Sequence, residues 1–208
     1  MSSELVLQTR VGPTNAMADG SALQYPTVDR FGASRVTPSV GEYEEMASRN
    51  QLYTACNQAE VTYGTALTAT AVTYTLYNPI GSPVDLVLFL VSWATRTSST
   101  AGHLVLAANV NNSAAAVVHG TPLTVRNCKL DGSAGYGLAD AAATLPAAPV
   151  AILALASMGV TVTGEQSSLD IKGAVILGPN TAVTVQGITV VGTGVISMIW
   201  RERPRLAA

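Results

Sequence analysis

The sequence predicts an all-β protein: an antiparallel, jelly-roll-like β-sandwich with an extended N-terminal arm and one short helix. From Gln51 onward, short apolar or alternating runs follow each other at intervals of roughly 8 to 15 residues, with turn-forming residues between them. Regular alternation of strands with helices is missing, which argues against a doubly wound fold. We therefore expect four segments: an arm at 1–40, a helix at 41–50, the sandwich at 51–203 and a tail at 204–208.

The segment at 1–40 has weak periodicity and many turn-forming residues, so it cannot build a core of its own. Two interpretations remain open, a disordered tail and an extended arm that lies on a neighbouring subunit. Apolar residues are spread through the segment more densely than a purely solvated tail would carry, which favours an arm that crosses a subunit boundary. The residues that we expect to anchor this arm are Leu5, Val6, Leu7, Tyr25 and Phe31.

Residues 41–50, GEYEEMASRN, are predicted to form the one short helix. Three glutamates lie in its first turn, where the helix dipole favours anions. Arg49 follows Glu45 by four residues, and an ion pair at this spacing stabilises a helix by about 0.3 kcal/mol. We expect Tyr43, Glu45 and Arg49 to fix this helix against the β domain.

The predicted strands are organised around residues 64–95. Residues 64–77 alternate in period two and are rich in β-branched and aromatic residues, which is typical of a strand. Two prolines and a glycine at 78–83 force a turn, because prolines cannot donate ladder hydrogen bonds. Residues 84–95 are apolar on both faces and need a second layer above them. We expect 64–77 and 84–95 to be the central pair.

The rest of the chain gives shorter strand signals. Residues 181–191 and 195–200 are predicted to form a last hairpin across Gly192, Thr193 and Gly194. Residues 138–150 are rich in Ala and Pro and have little periodicity. The other predicted strands are 52–59, 103–110, 114–119, 123–130, 151–156, 160–163, 169–171 and 174–177.

Charge is scarce in this chain. Only 12% of the residues are charged and the net charge is −2, whereas about a quarter of an average protein is charged. Lys129 and Lys172 are the only lysines, and Arg10, Arg30 and Arg35 are widely spaced in the arm. A nucleic-acid-binding surface would need a basic stripe, so we expect no such partner. The few charges and many small residues favour a surface covered by further copies of the chain.

The cysteines, the first residues and the lengths of the apolar runs bear on where in the cell the chain is made. Cys56 and Cys128 favour two buried free thiols, and a single disulfide remains open. The first residues lack the basic region and apolar core of a signal peptide. No apolar run reaches the roughly 18 residues that a transmembrane helix needs. We therefore expect a chain made in the cytoplasm, without a membrane-spanning segment.

Residue patterns for catalysis are missing. His103 and His119 are isolated, without the His-x-His or His-x-Asp spacing of a cupin metal site. Carboxylates are few and mostly flank turns, so no pair is marked as a glycosidase dyad. The chain has no Gly-x-Ser-x-Gly elbow, P-loop or dinucleotide fingerprint. We expect no enzyme, no metal and no cofactor.

Two segments carry a resemblance to known proteins. The segment at 41–59 holds a Tyr-x-Glu-x-x-x-Arg helix, and the segment at 76–94 holds an Asn-Pro-x-Gly-Ser turn before a long apolar strand. With the late Trp200, the chain resembles small β-rich structural proteins of tailed-bacteriophage virions, of the capsid decoration or cement type. The resemblance covers roughly 41–200. It departs at Asn50, where the family usually has Gly.

The resemblance implies a β-rich, oligomeric virion protein made in the host cytoplasm. We expect a capsid decoration protein: a homotrimer on the head surface, with copies of itself and the major capsid protein as partners. Its arm would hold the shell against internal pressure. A head-fibre base, a tail adaptor and a tail-tip protein remain open as positions in the virion. A receptor- or glycan-binding β module is the remaining alternative, for which Tyr136 in a glycine-rich loop is the plausible exposed aromatic.

Overall fold

The computed structural model describes residues 27–28, 34–35, 42–70, 73–98, 100–109, 117–160 and 163–205. The chain divides into two units, residues 1–42 and residues 43–208. In the first unit, β1 (Thr27–Val28) and β2 (Ser34–Arg35) form a short antiparallel pair. The second unit contains the other strands and, from Tyr43 on, the helix.

The remaining elements follow in chain order. They are α1 (Glu42–Ser48), β3 (Leu52–Cys56), β4 (Val61–Thr62), β5 (Tyr74–Asn78), β6 (Val84–Ser98), β7 (Gly102–Asn109), β8 (Thr121–Leu123), β9 (Arg126–Asn127), β10 (Leu138–Ala141), β11 (Val150–Met158), β12 (Thr163–Leu177), β13 (Thr181–Ile188) and β14 (Gly192–Pro204).

Two antiparallel sheets make up the second unit. Sheet 1 has the strand order β11-β7-β13-β5-β10-β8, and sheet 2 has the order β12-β6-β14-β3-β9, with β4 paired to β14. The two inner faces share one core, which confirms the predicted all-β antiparallel sandwich with one short helix. The jelly-roll topology stays a prediction. The core includes Leu76, Leu106 and Val185 from sheet 1 and Leu88, Ile196 and Trp200 from sheet 2.

Two predicted strand pairings are wrong, because the short connections join strands of opposite sheets. The turn at 79–83 leads from β5 in sheet 1 to β6 in sheet 2, so 64–77 and 84–95 are not a pair. Likewise, β13 and β14 lie in different sheets and do not form the predicted hairpin. The Asn78 side-chain amide stabilises the first crossing, since its nitrogen donates to the carbonyls of Val84 (2.8 Å) and Leu177 (3.0 Å).

The predicted strand at 64–77 is also too long, because among its described residues, 64–70 and 73–77, pairing as a strand begins at Tyr74. Residues 64–70 are held along sheet 1 by other contacts. The Thr68 backbone N–H donates to the Gln186 side-chain oxygen (2.8 Å), and the Gln186 side-chain nitrogen donates to the Thr68 carbonyl (3.0 Å). The N–H of Leu145 donates to the Ala69 carbonyl (2.7 Å). A side chain therefore replaces the partner strand that the alternation predicted.

Several other strand bounds differ from the prediction. Residues 138–150, which are rich in Ala and Pro, contain β10, an inner strand of sheet 1 that periodicity did not predict. The pieces predicted at 169–171 and 174–177 belong to one strand, β12, which begins at Thr163 and is interrupted by a register shift between Asp170 and Val175. Residues 161 and 162 of the piece predicted at 160–163 lie outside the described residues. The strand predicted at 123–130 is replaced by the shorter β8 and β9.

Helix α1 ends earlier than the predicted 41–50, and residue 41 lies outside the described residues. Asn50 adopts a left-handed conformation, with φ of 57°. The N–H groups of Asn50 and Gln51 donate to the carbonyls of Ala47 and Met46, both at 3.0 Å. This hydrogen-bond pair is a Schellman motif, in which Asn can take the place that Gly usually occupies.

Candidate functional site

Strand β11 forms one edge of sheet 1 and exposes apolar side chains. It pairs with β7, and none of the described strands pairs with its other side. Val150 is 67% exposed, Ile152 47% and Leu153 38%, and the strand sequence VAILALASM carries no charge. Natural edge strands are usually protected by charges, prolines or covering segments. An edge with this composition is typical of a surface that another chain covers.

Strand register places part of this apolar surface on the core side of sheet 1. Leu153 lies opposite Leu106 of β7, and Val150 lies opposite Ala108. Leu106 is fully buried, whereas Leu153 is more than one third exposed. The core-facing side of β11 therefore extends beyond the part of the core that sheet 2 covers.

Two β-bulges add to the apolar character of this edge. The pairing with β7 shifts between Ala151 and Leu153 and again between Ala154 and Ala156, which leaves Ile152 and Leu155 as extra residues. Both extra residues are aliphatic, and a bulge increases the local twist of the strand. The sequence predicted a strand at 151–156. It could not indicate the exposed edge, because an apolar run looks the same in the centre and at the border of a sheet.

Strand β12, the corresponding edge of sheet 2, has the usual protection. It carries Glu165, Asp170 and Lys172, whereas β11 has no charged residue. At Lys172 and Gly173 the backbone takes positive φ values, 53° and 78°, within the irregular part of the strand. Charges and irregular backbone are common means of blocking edge-to-edge pairing. The two neighbouring edges thus differ in their capacity to accept another strand.

Helix α1 packs on the outer face of sheet 2. The Tyr43 ring meets Phe89 edge-to-face with centroids 5.7 Å apart, and the Tyr43 hydroxyl donates to Asp170 Oδ1 (3.1 Å). Met46 and Phe89 form a small buried cluster with Leu52.

The other two helix residues proposed from the sequence pair with each other. Arg49 Nη2 forms the predicted i,i+4 ion pair with Glu45 Oε1, and both side chains are about half exposed. An exposed pair of this kind contributes at most about 0.5 kcal/mol. Its side chains line the solvent side of α1. The five arm residues, Leu5, Val6, Leu7, Tyr25 and Phe31, lie outside the described residues.

A cleft of about 480 Å³ lies near β4 and β8. Its walls combine apolar side chains, such as Val61 and Leu123, with threonine hydroxyls and with Glu60. Glu60 already pairs with Arg96 at 3.1 Å and accepts a hydrogen bond from Thr193 (3.2 Å). The cleft can therefore hold a small polar molecule, although its carboxylate is engaged.

The two histidines lie apart, each beside one polar partner. His119 Nδ1 is 2.9 Å from Asp140 Oδ2, and the buried Asp140 also accepts the N–H groups of Gly120 and Thr121. His103 Nδ1 is 3.0 Å from the Ser157 hydroxyl. Within the described ranges, no group of three or more His, Cys, Asp or Glu residues is arranged to hold a metal ion. The Asp140 contacts fix the start of β8 against β10.

Cys56 and Cys128 are unpaired and partly buried, in agreement with the free-thiol interpretation. Burial raises the pKa of both thiols. A raised pKa lowers the thiolate fraction at neutral pH, and the thiolate is the reactive form. Cys128 also packs against the small cluster of Met46, Leu52 and Phe89.

Comparison with protein-family models, with curated proteins and with solved structures gave no match. In the part of the chain that the structure describes, no helix combines the length and apolar character needed to cross a membrane. The candidate site is therefore inferred from the structure of this chain alone. That site is the β11 edge, together with the helix from which the N-terminal segment starts.

Proposed function

We propose that this chain is a structural protein of a tailed-phage virion, and specifically a capsid decoration (cement) protein. The observation that carries the proposal is the uncharged apolar edge of β11, which is typical of a protein that functions in contact with other chains. The low charge of the whole chain and the resemblance at 41–59 and 76–94 support the same role.

A decoration protein needs many weak contacts rather than a catalytic centre. Each copy on a symmetric shell repeats the same apolar contact, and linked contacts raise the overall affinity well above that of one contact. The apolar edge of the sandwich and the long N-terminal segment provide two separate contact elements per copy. The expected partners are other copies of this chain and the major capsid protein.

Immunoelectron microscopy tests this proposal. Gold-labelled antibodies against residues 43–208 would be applied to purified virions of the phage that encodes the chain. A decoration protein should give label at many positions over the head. A single cluster at the neck or the tail tip would favour a tail adaptor, a head-fibre base or a tail-tip protein instead. Virions without label would contradict a virion role.

The cleft near β8 favours a second candidate, a glycan-binding module. Its threonine hydroxyls could hydrogen-bond to sugar hydroxyl groups, although its lining residues include no aromatic platform. Tyr136 is exposed, but it lies outside that lining. Backbone amide shifts of Gln58 and Thr121, followed by NMR during titration with monosaccharides, would support this candidate. An unchanged spectrum would argue against it.

A further inference from the structure

We propose that residues 4–11 of one copy bind as an added strand along the β11 edge of another copy. The inference rests on the proposed structural role and deepens it, because it names the segment and the surface through which copies join. Binding of this kind, β-augmentation, gains affinity from main-chain hydrogen bonds and from side chains that alternate between two faces.

The receiving surface is β11, a nine-residue edge strand with exposed aliphatic side chains on its core-facing side. Other edges in the described part of the sandwich are less suitable. β8 and β9 span three and two residues, and β12 carries charges and an irregular turn. An added strand beside β11 would cover Val150 and Leu153, which sheet 2 leaves exposed.

The donor segment has the composition that this surface requires. In the sequence ELVLQTRV at 4–11, a period of two groups Leu5, Leu7, Thr9 and Val11 together and puts the charged Glu4 and Arg10 in the opposite set. Residues 5–9 are uncharged, as is β11, so no charge would be buried at the centre of the contact. This pattern is typical of a strand that has an apolar face.

Chain length allows the donor to reach a second molecule. Residues 12–41 connect the segment to α1, which is packed on the outer face of sheet 2. The antiparallel pair of β1 and β2 brings residues 27 and 35 side by side, and the remaining stretches, about 21 residues, span up to about 70 Å at roughly 3.3 Å per residue. A domain of this size is only about 40 Å across. The connection is therefore long enough to bridge two adjacent sandwiches.

An arm strand from another copy fits the β11 edge better than the β11 edge of another copy does. Only four residues, 159–162, separate β11 from β12, so the two edges lie on the same side of the sandwich. Direct pairing of two β11 strands would bring two copies of the β12 edge together, with Glu165 on each, whereas Asp170 is paired with Lys172 at 3.9 Å. Like charges at close range oppose that arrangement, whereas a thin arm strand avoids it.

An arm that binds a different surface on its neighbour makes a heterologous contact. Such contacts close into a ring when the rotation between copies allows it. Three copies that each donate one arm and each receive one arm would form a closed trimer. The arm contact is therefore compatible with the trimer that the resemblance implies.

Disulfide cross-linking between two differently tagged chains tests the inference. In a Cys56→Ser and Cys128→Ser background, one chain carries Val6→Cys and the co-expressed chain carries Ala154→Cys. A cross-link between the two tags can form only between molecules. The matched control replaces Ala154→Cys by Gln166→Cys, which puts an exposed cysteine on β12 instead.

We expect about tenfold more inter-tag cross-link with Ala154→Cys than with Gln166→Cys, because strand pairing raises the effective concentration of the two thiols. Leu153→Lys should abolish the excess while the chain keeps the circular dichroism of a folded β-sandwich, since a charge on the core-facing side blocks edge pairing. Equal cross-linking at both positions would overturn the inference, as would cross-links mainly between two Ala154→Cys chains. Cross-linking uses purified protein and immunolabelling uses virions, so failure of one proposal is distinguishable from failure of the other.

Discussion

At the scale of single residues, buried polar groups join parts of the sandwich that are distant in sequence. The Tyr74 hydroxyl in sheet 1 donates to the Ala55 carbonyl in sheet 2, at 2.9 Å. The buried Glu202 carboxylate accepts the N–H groups of Tyr136 and Gly137, each at 2.8 Å from Oε1. These contacts could not be predicted from the sequence, because each depends on which strands the topology brings together.

Replacement of Tyr74 by Phe should change the response to alkaline pH. Burial raises the pKa of Tyr74 well above its usual value near 10. Below about pH 10 the tyrosine is protonated in both the folded and the unfolded state. Above it, the unfolded state loses the proton first, so this residue lowers the free energy of unfolding by up to about 1.4 kcal/mol per pH unit.

Urea unfolding between pH 7 and 12 measures both effects. At pH 7, Tyr74→Phe should lower the free energy of unfolding by about 1 kcal/mol, because the variant lacks the hydrogen bond to the Ala55 carbonyl. Its stability should then decline less steeply above pH 10 than that of the parent. Tyr136→Phe, at an exposed position, serves as the control and should change the free energy of unfolding at pH 7 by less than Tyr74→Phe does. Identical slopes for Tyr74→Phe and the parent would contradict this account.

At the scale of elements, α1 packs against a side chain that a β-bulge in β6 places on the outer face of sheet 2. The β6 pairings to β14 and to β12 both shift at Phe89, which is therefore an extra residue in β6. Phe89 projects from the outer face of sheet 2 and packs with Tyr43 and Met46. The bulge thus provides the apolar contact that a seven-residue helix needs, since short helices are marginal alone.

Phe89→Ala should detach α1 and leave the sandwich folded. Loss of a buried aromatic side chain costs about 3 kcal/mol, and this loss falls mainly on the helix. Hydrogen exchange at the Arg49, Asn50 and Gln51 amides should accelerate, while exchange in β13 stays unchanged. Leu130→Ala, at a side chain that is 93% exposed, is the matched control and should change neither. Slow exchange at those three amides in Phe89→Ala would disprove the role of the bulge.

Elements were predictable from the sequence where the local pattern decides the structure. The helix, the turn at 78–83 and the apolar runs of β6, β7 and β13 follow from residues that are close in the chain. β10 and the true extent of β5 did not follow, because an alanine-rich stretch fits a strand only when its neighbours are known. In residues 64–70 the Gln186 side chain replaces a strand partner, which no pattern indicates.

At the scale of the whole molecule, the partners of each strand were the main unpredicted feature. Among the described strands of the sandwich, no two that are consecutive in the chain pair with each other. Hydrophobic patterning indicates which residues are buried, but it does not identify the neighbouring strand. The β11 edge was unpredictable for the same reason, although its strand was predicted at 151–156.

The mass of the purified protein in solution, measured by light scattering, tests most directly whether copies of this chain join through the arm. The full chain should have three times the monomer mass of 21.4 kDa. Deletion of residues 1–40 should give a folded monomer, with the circular dichroism of a β-sandwich retained. A full chain that stays monomeric at micromolar concentration would contradict the account. A trimer that persists after the deletion would contradict the arm contact.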